Sequence, residues 1–295
     1  MMQGFSIIIP TLNRTDYLLN TLKDLIVQDY NKDFEILIID QSVKEDMAVI
    51  AVSKKHEYIK YHHITHFKGL PEARNYGAKL AKYEYLLFVD DDISCSNQLL
   101  KEHFKSLILD NVAVCAGGIT EKNKPNTDCN TGYFSFLTAT PERGFHQKEK
   151  REVYHAGGGN FSVKKAVYFE VGGIDEQLTK GAALYEETDF CLRVQKAGYK
   201  IWFNYNAHVF HLAAETGGCR VPEIDKYIFS LARNRSLIIK RHLPWFYQIT
   251  AKLYLLKLVL SYLRVYKSKS IWSAYLKGKR EGQLLHATTI KNAQL

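Results

Sequence analysis

The chain has 295 residues, of which 46% are hydrophobic and 24% charged, and this composition excludes a disordered or fibrous protein. Its net charge of +9 arises at one end: residues 226–295 contain 14 Lys and Arg against a single acid, Glu281, whereas the preceding 225 residues contain 26 basic and 30 acidic residues. Such a basic region meets nucleic acid or an anionic membrane surface, and its remaining residues have to decide between the two.

Strand and helix patterns alternate through the first part of the chain. Apolar runs of strand length occupy residues 5–9, 34–40, 58–64 and 85–89, and apolar residues at helical spacing occupy 15–28, 43–54 and 71–82. Because the strands are apolar on both faces, the alternation predicts an α/β fold with a mostly parallel, Rossmann-like sheet and helices on both of its faces.

Beyond residue 110 the pattern is less regular. Residues 112–118 are a fifth strand candidate, whereas 120–152 is polar and interrupted by prolines, which predicts a long loop region. The glycine-rich segment 155–163 is typical of a loop or strand with close backbone approach. A helix is predicted over 186–198, and a strand follows it at 199–203.

Neither the N-terminal segment nor the cysteines are predicted to have a targeting, metal-binding or disulfide role. "MMQGFSIIIPTLNR" has no basic leader, and its apolar run ends at Pro10, so we expect neither a signal peptide nor a membrane span, and a cytoplasmic location. The five cysteines are odd in number and far apart, without a metal-type spacing, which predicts reduced thiols.

Three consecutive aspartates, Asp90, Asp91 and Asp92, follow the strand at 85–89. Ligands of parallel sheets bind beyond the carboxyl ends of the strands, and adjacent carboxylates repel one another unless solvent or a cation neutralises them. Strand alternation points Asp90 and Asp92 the same way, which would present two oxygen ligands to Mg²⁺ or Mn²⁺, and turns Asp91 away to orient the loop. An isolated run of this kind is more often a solvated loop start.

The aspartates are one of six segments that together resemble a known family. "SIIIPTLNR", "FEILIIDQS", "GLPEARNYG", "FVDDD", "GGGNFSV" and "EETDFCLRVQKAGYKI" occur in the order and spacing of the family 2 glycosyltransferases with the GT-A fold, over roughly residues 5–240. The resemblance implies an inverting transferase that uses a nucleotide-diphosphate sugar and Mn²⁺ or Mg²⁺. We divide the chain into a catalytic domain at 1–225, with a nucleotide-sugar half at about 1–118 and an acceptor half at about 119–225, and a basic amphipathic helical region at 226–295.

The resemblance also assigns residues to the donor. It implies that Pro10, Thr11 and Arg14 border the donor nucleotide and that Asp40 hydrogen-bonds its base. Many relatives carry a second acid where this chain has Gln41, so the identity of the base stays open.

A second group of residues is expected around the diphosphate. A guanidinium such as that of Arg74 is a natural partner for a diphosphate, although an arginine on a helix is more often a solvated surface residue. The resemblance implies that Asp92 binds the metal directly and that Asp90 reaches both the metal and the donor ribose or sugar. It favours His211 over His208 as the histidine that approaches the metal.

An inverting transfer needs a base that removes the proton of the acceptor hydroxyl. The candidates are Glu186, Glu187 and Asp189 at the start of the helix at 186–198, where the helix dipole favours an ionised carboxylate, although acids there are often no more than caps. The family pattern is Glu-Asp-x-Asp and this chain has Glu-Glu-Thr-Asp, so the resemblance makes Glu187 the first choice and Asp189 the second. Glu186 is then expected to position groups or bind the acceptor.

On the acceptor side, Gly158, Gly159 and Asn160 resemble a motif in which missing side chains leave room for a sugar, although glycines also simply form turns. The predicted function is sugar transfer to a glycan or lipid-linked acceptor, as in cell-surface polysaccharide or glycolipid synthesis, at the inner face of the plasma membrane. A sugar-phosphate nucleotidyltransferase and a non-catalytic subunit that binds nucleotide sugars or glycans are the alternatives. The sequence predicts no oligomeric state.

Residues 242–266 are rich in aromatic and aliphatic side chains but are interrupted by Lys252, Lys257 and Arg264, so no run is long enough to span a bilayer. A helix here suits contact with an anionic membrane interface, but packing on the catalytic domain or on a second copy fits equally. Nucleic acid is disfavoured because no recognised binding motif accompanies the charge. The apolar face of this helix is predicted to comprise Tyr247, Ala251, Tyr254, Leu255, Leu258, Tyr262, Val265 and Tyr266.

Overall fold

The computed structural model describes residues 2–122, 129–214, 221 and 223–286. Its strands are β1 (Met2–Thr11), β2 (Asp33–Asp40), β3 (Ile59–His63), β4 (Tyr83–Val89), β5 (Ile93–Cys95), β6 (Val112–Glu121), β7 (Tyr133–Ser135), β8 (Thr140–Glu142), β9 (Lys150–Glu152), β10 (Asn160–Lys164) and β11 (Lys200–His211). Its α-helices are α1 (Thr15–Ile26), α2 (Met47–Ser53), α3 (Leu70–Leu80), α4 (Leu99–Leu107), α5 (Lys165–Glu170), α6 (Glu186–Lys196), α7 (Ile224–His242), α8 (Trp245–Tyr266) and α9 (Ser270–Leu284). The predicted alternation of strands and helices is confirmed.

One sheet joins nine of the described strands in the order β3-β2-β1-β4-β10-β6-β11-β5, with β9 also beside β11. β1 pairs in parallel with β2 and β4, β2 with β3, and β6 with β11. β5, β9 and β10 run antiparallel to their neighbours. Six strands therefore run in one direction and three in the other, and the predicted mostly parallel sheet is confirmed.

The strands are apolar on both faces because helices cover both faces. Successive side chains of a strand point to opposite sides, so Ile8 and Phe88 enter one core while Ile7 and Leu87 enter the other. The first core is closed by α3, α5 and α6, and the second by α1, α2 and α4. These two layers hold the carboxyl ends of β1, β2 and β4 in place.

The middle of the chain is more structured than predicted. In the described part of residues 120–152, β7 pairs with β8, and β9 joins the main sheet beside β11. Strands of three residues carry too short an alternation to be recognised in a sequence. The strand predicted at 199–203 continues to His211, where β11 pairs with β5.

The C-terminal region is helical, as predicted, and α7 is fastened to the rest of the molecule. The side-chain amide of Asn234 donates to the carbonyl oxygens of Leu178 (2.9 Å) and Leu184 (3.0 Å). Arg235 donates to the carbonyl oxygen of Thr138 at 2.5 Å. Because α7 is mostly buried, it is part of the same packed body as the catalytic sheet.

The inner face of α8 differs from the predicted one. Ala251, Leu255 and Val259 are buried against the other C-terminal helices, whereas Val265 and Tyr266, predicted on the same face, are exposed. A helix that is apolar on several sides does not reveal its packed side through periodicity. Within the described residues, no helix is long and apolar enough to cross a membrane.

Candidate active site

The carboxyl ends of neighbouring strands meet at one edge of the sheet. Thr11 at the end of β1 is in register with Asp40 at the end of β2, which is in register with His63 at the end of β3. β4 lies on the other side of β1, and its last residue, Val89, leads directly into the three aspartates. The polar residues that follow separate strands in the sequence are therefore neighbours in space.

Asp91 is turned into the protein. Its carboxylate accepts hydrogen bonds from the Thr11 hydroxyl (2.7 Å) and from the Arg14 guanidinium (2.8 Å). Burial raises the pKa of Asp91 to about 6, against the opposing charge of Arg14. Thr21 holds the same turn, because its hydroxyl contacts the carbonyl oxygens of Asp91 and Ile93, each at 2.8 Å. This arrangement matches the orienting role expected for Asp91.

Asp90, Asp92 and His211 come together as a group with metal-type donors. Each offers one donor atom, and these atoms lie within 4.8 Å of one another. His211 Nε2 is 3.2 Å from Asp92 Oδ1 and 3.6 Å from Asp90 Oδ2. Burial lowers the pKa of His211, but the two carboxylates outweigh it and raise that pKa to about 10.

The donor set fits a hard divalent cation. Two carboxylates and an imidazole suit Mn²⁺, and Mg²⁺ prefers the carboxylate oxygens. Asp92 Oδ1 is buried and has His211 Nε2 as its neighbour at 3.2 Å, while Asp92 Oδ2 accepts from the backbone amide of Ala214 at 2.8 Å. One oxygen thus holds the side chain in place, and the other is directed at the candidate cation site beside His211.

Asp40 and Pro10 are buried at the predicted donor edge. The Asp40 carboxylate accepts from the backbone amide of Ser42 (2.8 Å) and the hydroxyl of Tyr61 (2.6 Å). Ser42 in turn accepts from the backbone amide of Asn13, at 2.8 Å. Asp40 therefore organises the loops at this edge, and its contact with a base stays a prediction.

Arg74 and Glu186 form a buried ion pair through Nη1 and Oε1. Arg74 Nη2 also donates to the carbonyl oxygen of Gly158 at 2.6 Å and lies 3.7 Å from Asp90 Oδ1. Both side chains are buried, and the donor contact predicted for Arg74 and the acceptor contact predicted for Glu186 stay predictions. The pair links the helix that precedes β4 to the first turn of α6.

Gly158 and Gly159 are partly exposed and lie between two acidic groups. A Cβ atom on Gly158 would lie 3.6 Å from Glu187 Cδ, and one on Gly159 would lie 2.7 Å from Asp90 Oδ2. Asn160 corrects the predicted acceptor role, because it is fully buried and its amide bonds His103 (2.9 Å), Gly118 and Ala207. A group with all its hydrogen bonds inside the protein joins strands and does not bind a ligand.

The acids at the start of α6 have different surroundings. The Glu187 side chain is 11% exposed, and its Oε1 lies 3.9 Å from Nη2 of Arg143, an exposed residue just after β8. The residue before the helix, Tyr185, has a left-handed φ of 70°, which is costly for a residue with a side chain and is typical of functional sites. Glu187 is the least buried acid of this turn.

Asp189 corrects the second choice for the base. It is fully buried and accepts hydrogen bonds of 2.8 Å from Arg193, Arg241 and His242. Burial favours the neutral acid, but Arg193, His242 and Arg241 outweigh it and hold the pKa of Asp189 far below its usual range. Such a carboxylate neither reaches an acceptor nor takes up a proton near neutral pH.

Sequence reasoning missed Arg143, Arg241 and His242. Arg143 lies in the segment predicted to be a long loop, and the other two belong to α7, in the C-terminal region for which the sequence predicts no site residue. No local pattern points to them, because their partners Glu187 and Asp189 are 44 to 53 residues away.

Comparisons with known proteins agree with this architecture. A family model described as "Glycosyl transferase family 2" matches residues 6–172. The chain is 24% identical over 211 residues to the glucosyl-dolichyl phosphate glucuronosyltransferase of Haloferax volcanii, which covers 68% of this chain and 66% of that protein. It is 31% identical over 104 residues to the poly(ribitol-phosphate) β-N-acetylglucosaminyltransferase TarS of Staphylococcus aureus, which covers 34% of this chain and 18% of that protein. The chain thus spans less than two thirds of the length of either relative.

Two solved structures have the same fold. A crystal structure of S. aureus TarS in complex with UDP-GlcNAc superimposes with a TM-score of 0.67 at 17% identity, over 94% of this chain and 79% of that one. The mannosyltransferase PcManGT from Pyrobaculum calidifontis, in complex with GDP-Man and Mn²⁺, gives 0.58 at 14% identity, over 93% and 83%. The residues matched by the family model make up more than half of the chain, and the chain therefore belongs to glycosyl transferase family 2, with the GT-A fold.

Proposed function

We propose that the protein is an inverting, metal-dependent glycosyltransferase that takes its sugar from a nucleotide-diphosphate donor. The observation that carries the proposal is the placement of two acidic groups beside consecutive glycines. Glu187 lies next to Gly158, and Asp90 lies next to Gly159. Asp90 belongs to the group of candidate cation ligands that also contains Asp92 and His211. A base and a cation site on either side of backbone without side chains are what a transfer from a diphosphate to a hydroxyl needs.

Asp90, Asp92 and His211 would hold Mn²⁺ or Mg²⁺. When bound, the cation offsets the charge that develops on the diphosphate leaving group. Thr11 and Arg14 keep the acidic turn in position through Asp91, and Arg74 does the same for Asp90 and Gly158. The complexes of TarS with UDP-GlcNAc and of PcManGT with GDP-Man and Mn²⁺ support a donor of this class.

Glu187 acts as the general base. As the acceptor hydroxyl oxygen forms a bond to the anomeric carbon, its proton passes to the Glu187 carboxylate, and the bond to the nucleotide diphosphate breaks on the opposite side of the sugar. Glu187 belongs to the first turn of α6, where the partial positive charge of the helix end faces acidic side chains. Gly158 leaves space beside this carboxylate for a hydroxyl-bearing acceptor.

The acceptor is a glycan or a lipid-linked glycan, and the protein works at the inner face of the plasma membrane. Two relatives are named for a dolichyl phosphate and a poly(ribitol-phosphate) substrate, which supports an acceptor bearing phosphate or lipid. Most of the proposed donor-side groups come from residues 1–118, whereas His211, the base and the glycines come from 119–225.

Nucleotide binding tests the proposal directly. In thermal unfolding with UDP, GDP and other nucleoside diphosphates, we expect one of them to stabilise the protein in the presence of Mn²⁺, by about 2.7 kcal/mol at a hundredfold excess over its Kd. Asp92→Asn should remove the Mn²⁺-dependent part of the shift, whereas Asp110→Asn, an exposed acid after α4, should keep it. An Asp92→Asn shift equal to that of the wild type would rule out the metal site, and sugar transfer from a panel of UDP- and GDP-sugars then tests turnover.

Gly159→Ala should weaken the cation site without unfolding the protein. The new Cβ would lie 2.7 Å from Asp90 Oδ2, the flexible end of a side chain, so the carboxylate moves and the backbone stays. Displacing a ligand in this way is expected to lower Mn²⁺ affinity by about 10- to 100-fold. Gly158→Ala is the matched control, because its nearest contact, with Arg74 Nη2, is 3.4 Å. Equal Mn²⁺ titrations of both variants would contradict the prediction.

A further inference from the structure

The outer face of α8 is apolar although the helix lies on the surface. Phe246, Ile249, Leu253 and Leu260 are each 41–62% exposed, and their spacing of three, four and seven residues puts them on one stripe of the helix. The opposite side of α8 is buried against α7 and α9. A surface helix normally has a polar outer side, so this stripe needs something to cover it.

Two basic residues belong to the same stripe. Lys257 follows Leu253 by four residues, and Arg264 follows Leu260 by four, so the stripe runs from Phe246 to Arg264. The long stems of Lys and Arg can lie along an apolar surface while their charged ends stay in a polar layer. α8 contains no Asp or Glu between Trp245 and Tyr266.

The surroundings of α8 are also basic. A cavity of about 190 Å³ between α7, α8 and α9 is lined, among the described residues, by Lys240, Lys252 and Lys279 and by neutral side chains only. Glu281, the one acid of residues 226–295, is already paired with Lys180 at 2.9 Å. The positive charge of α8 is therefore not compensated by a carboxylate of the same helix.

The positive charge of α8 favours an anionic bilayer over a second copy of the chain as the partner of the stripe. A second copy of the chain docked face to face would bring the same lysines and arginines against one another, and like charges repel. An anionic bilayer offers apolar acyl chains for the stripe and negative headgroups for the basic residues. Trp245, exposed at the start of α8, is of the type enriched at the membrane–water interface.

We propose that the outer face of α8 docks the protein on an anionic lipid bilayer, with the helix lying in the plane of the interface. The apolar part of the stripe enters the headgroup layer, and Lys257 and Arg264 contact lipid phosphates. The proposal rests on the membrane location in the proposed function, but not on sugar transfer.

Vesicle sedimentation of the full chain tests the docking face without any donor. With vesicles of equal parts phosphatidylglycerol and phosphatidylcholine in 0.1 M salt, we expect binding at least tenfold stronger than with phosphatidylcholine alone. Ile249→Ser with Leu253→Ser should reduce binding to the anionic vesicles at least tenfold. Ile108→Ser with Leu109→Ser, which changes two exposed apolar residues after α4, should stay within twofold of the wild type.

Three outcomes would each contradict the proposed membrane docking of α8. They are no binding of the wild type to anionic vesicles, unchanged binding of the α8 double variant, or a dimer in solution that the double variant dissociates. The nucleoside diphosphate shift with Mn²⁺ is measured on the same variants. A wild-type thermal shift with nucleotide together with absent vesicle binding would contradict the membrane docking alone. Vesicle binding without any thermal shift by a nucleotide would contradict the proposed activity alone.

Discussion

Glu187→Gln is expected to lower the kcat of sugar transfer by about 10²- to 10⁴-fold, the usual contribution of a general base. Glutamine keeps the shape of the side chain but cannot take up the acceptor proton. Glu187 lies beside Gly158 and is not one of the three candidate cation ligands, so the KM for the donor and the nucleoside diphosphate shift with Mn²⁺ should stay near those of the wild type. Steady-state transfer to acceptor and thermal unfolding with nucleotide measure the two effects.

Glu152→Gln, which changes an exposed carboxylate of β9, is the control for this substitution and should retain wild-type turnover. Full turnover by Glu187→Gln would contradict the assignment of Glu187 as the general base. A loss of nucleotide binding equal to the loss of transfer would show that the side chain supports the donor site instead.

Asp189→Asn is expected to lower the free energy of unfolding by about 3–5 kcal/mol, because it leaves the buried Arg193 and Arg241 without their shared carboxylate. Arg241 also pairs with Asp175 at 2.7 Å, and the substitution leaves that contact in place. α7 and α6 therefore lose only part of their common attachment. Chemical denaturation at pH 7 measures the change, and the exposed Asp110→Asn should be neutral. Equal stability of Asp189→Asn and the wild type would contradict the role of this cluster.

The same cluster predicts a pH dependence. The pKa of Asp189 is depressed in the folded protein, so its stabilisation is complete above the pKa of the unfolded chain, about 3.9, and is lost as the pH falls from there toward the folded pKa. The part of the stability difference between the wild type and Asp189→Asn that arises from Asp189 itself should therefore shrink as the pH falls below about 4. A difference that stays constant down to pH 3 would exclude Asp189 as its source.

The elements with strong local patterns were predictable from sequence. β1, β2 and β4 are runs in which both neighbouring residues enter a core, such as Ile7 and Ile8, and this produces apolar runs that are recognisable without a structure. The short strands β7, β8 and β9 were not predictable, because their pairing depends on distant partners and their three residues carry no period.

The acidic residues of the candidate site could be picked out from the sequence, but the surroundings of each one could not. Glu187 and Asp189 are two residues apart at the start of one helix, where each residue turns the side chain by about 100°, so they face different surroundings. Packing of α7 covers one of them with Arg241 and His242 and leaves the other beside Gly158. Asn160 was likewise recognised as part of a motif, while its burial between strands appears only in the folded chain.

The sequence by itself determined the family, the α/β alternation, the acidic turn after β4 and the basic character of the C-terminal region, because these follow from residue order and composition. Only the tertiary structure decided which carboxylate stays accessible, how His211 reaches Asp92, and which side of α8 faces outward. Those features depend on contacts between residues far apart in the chain. Burial and charge pairing are set by such contacts, and no local pattern encodes them.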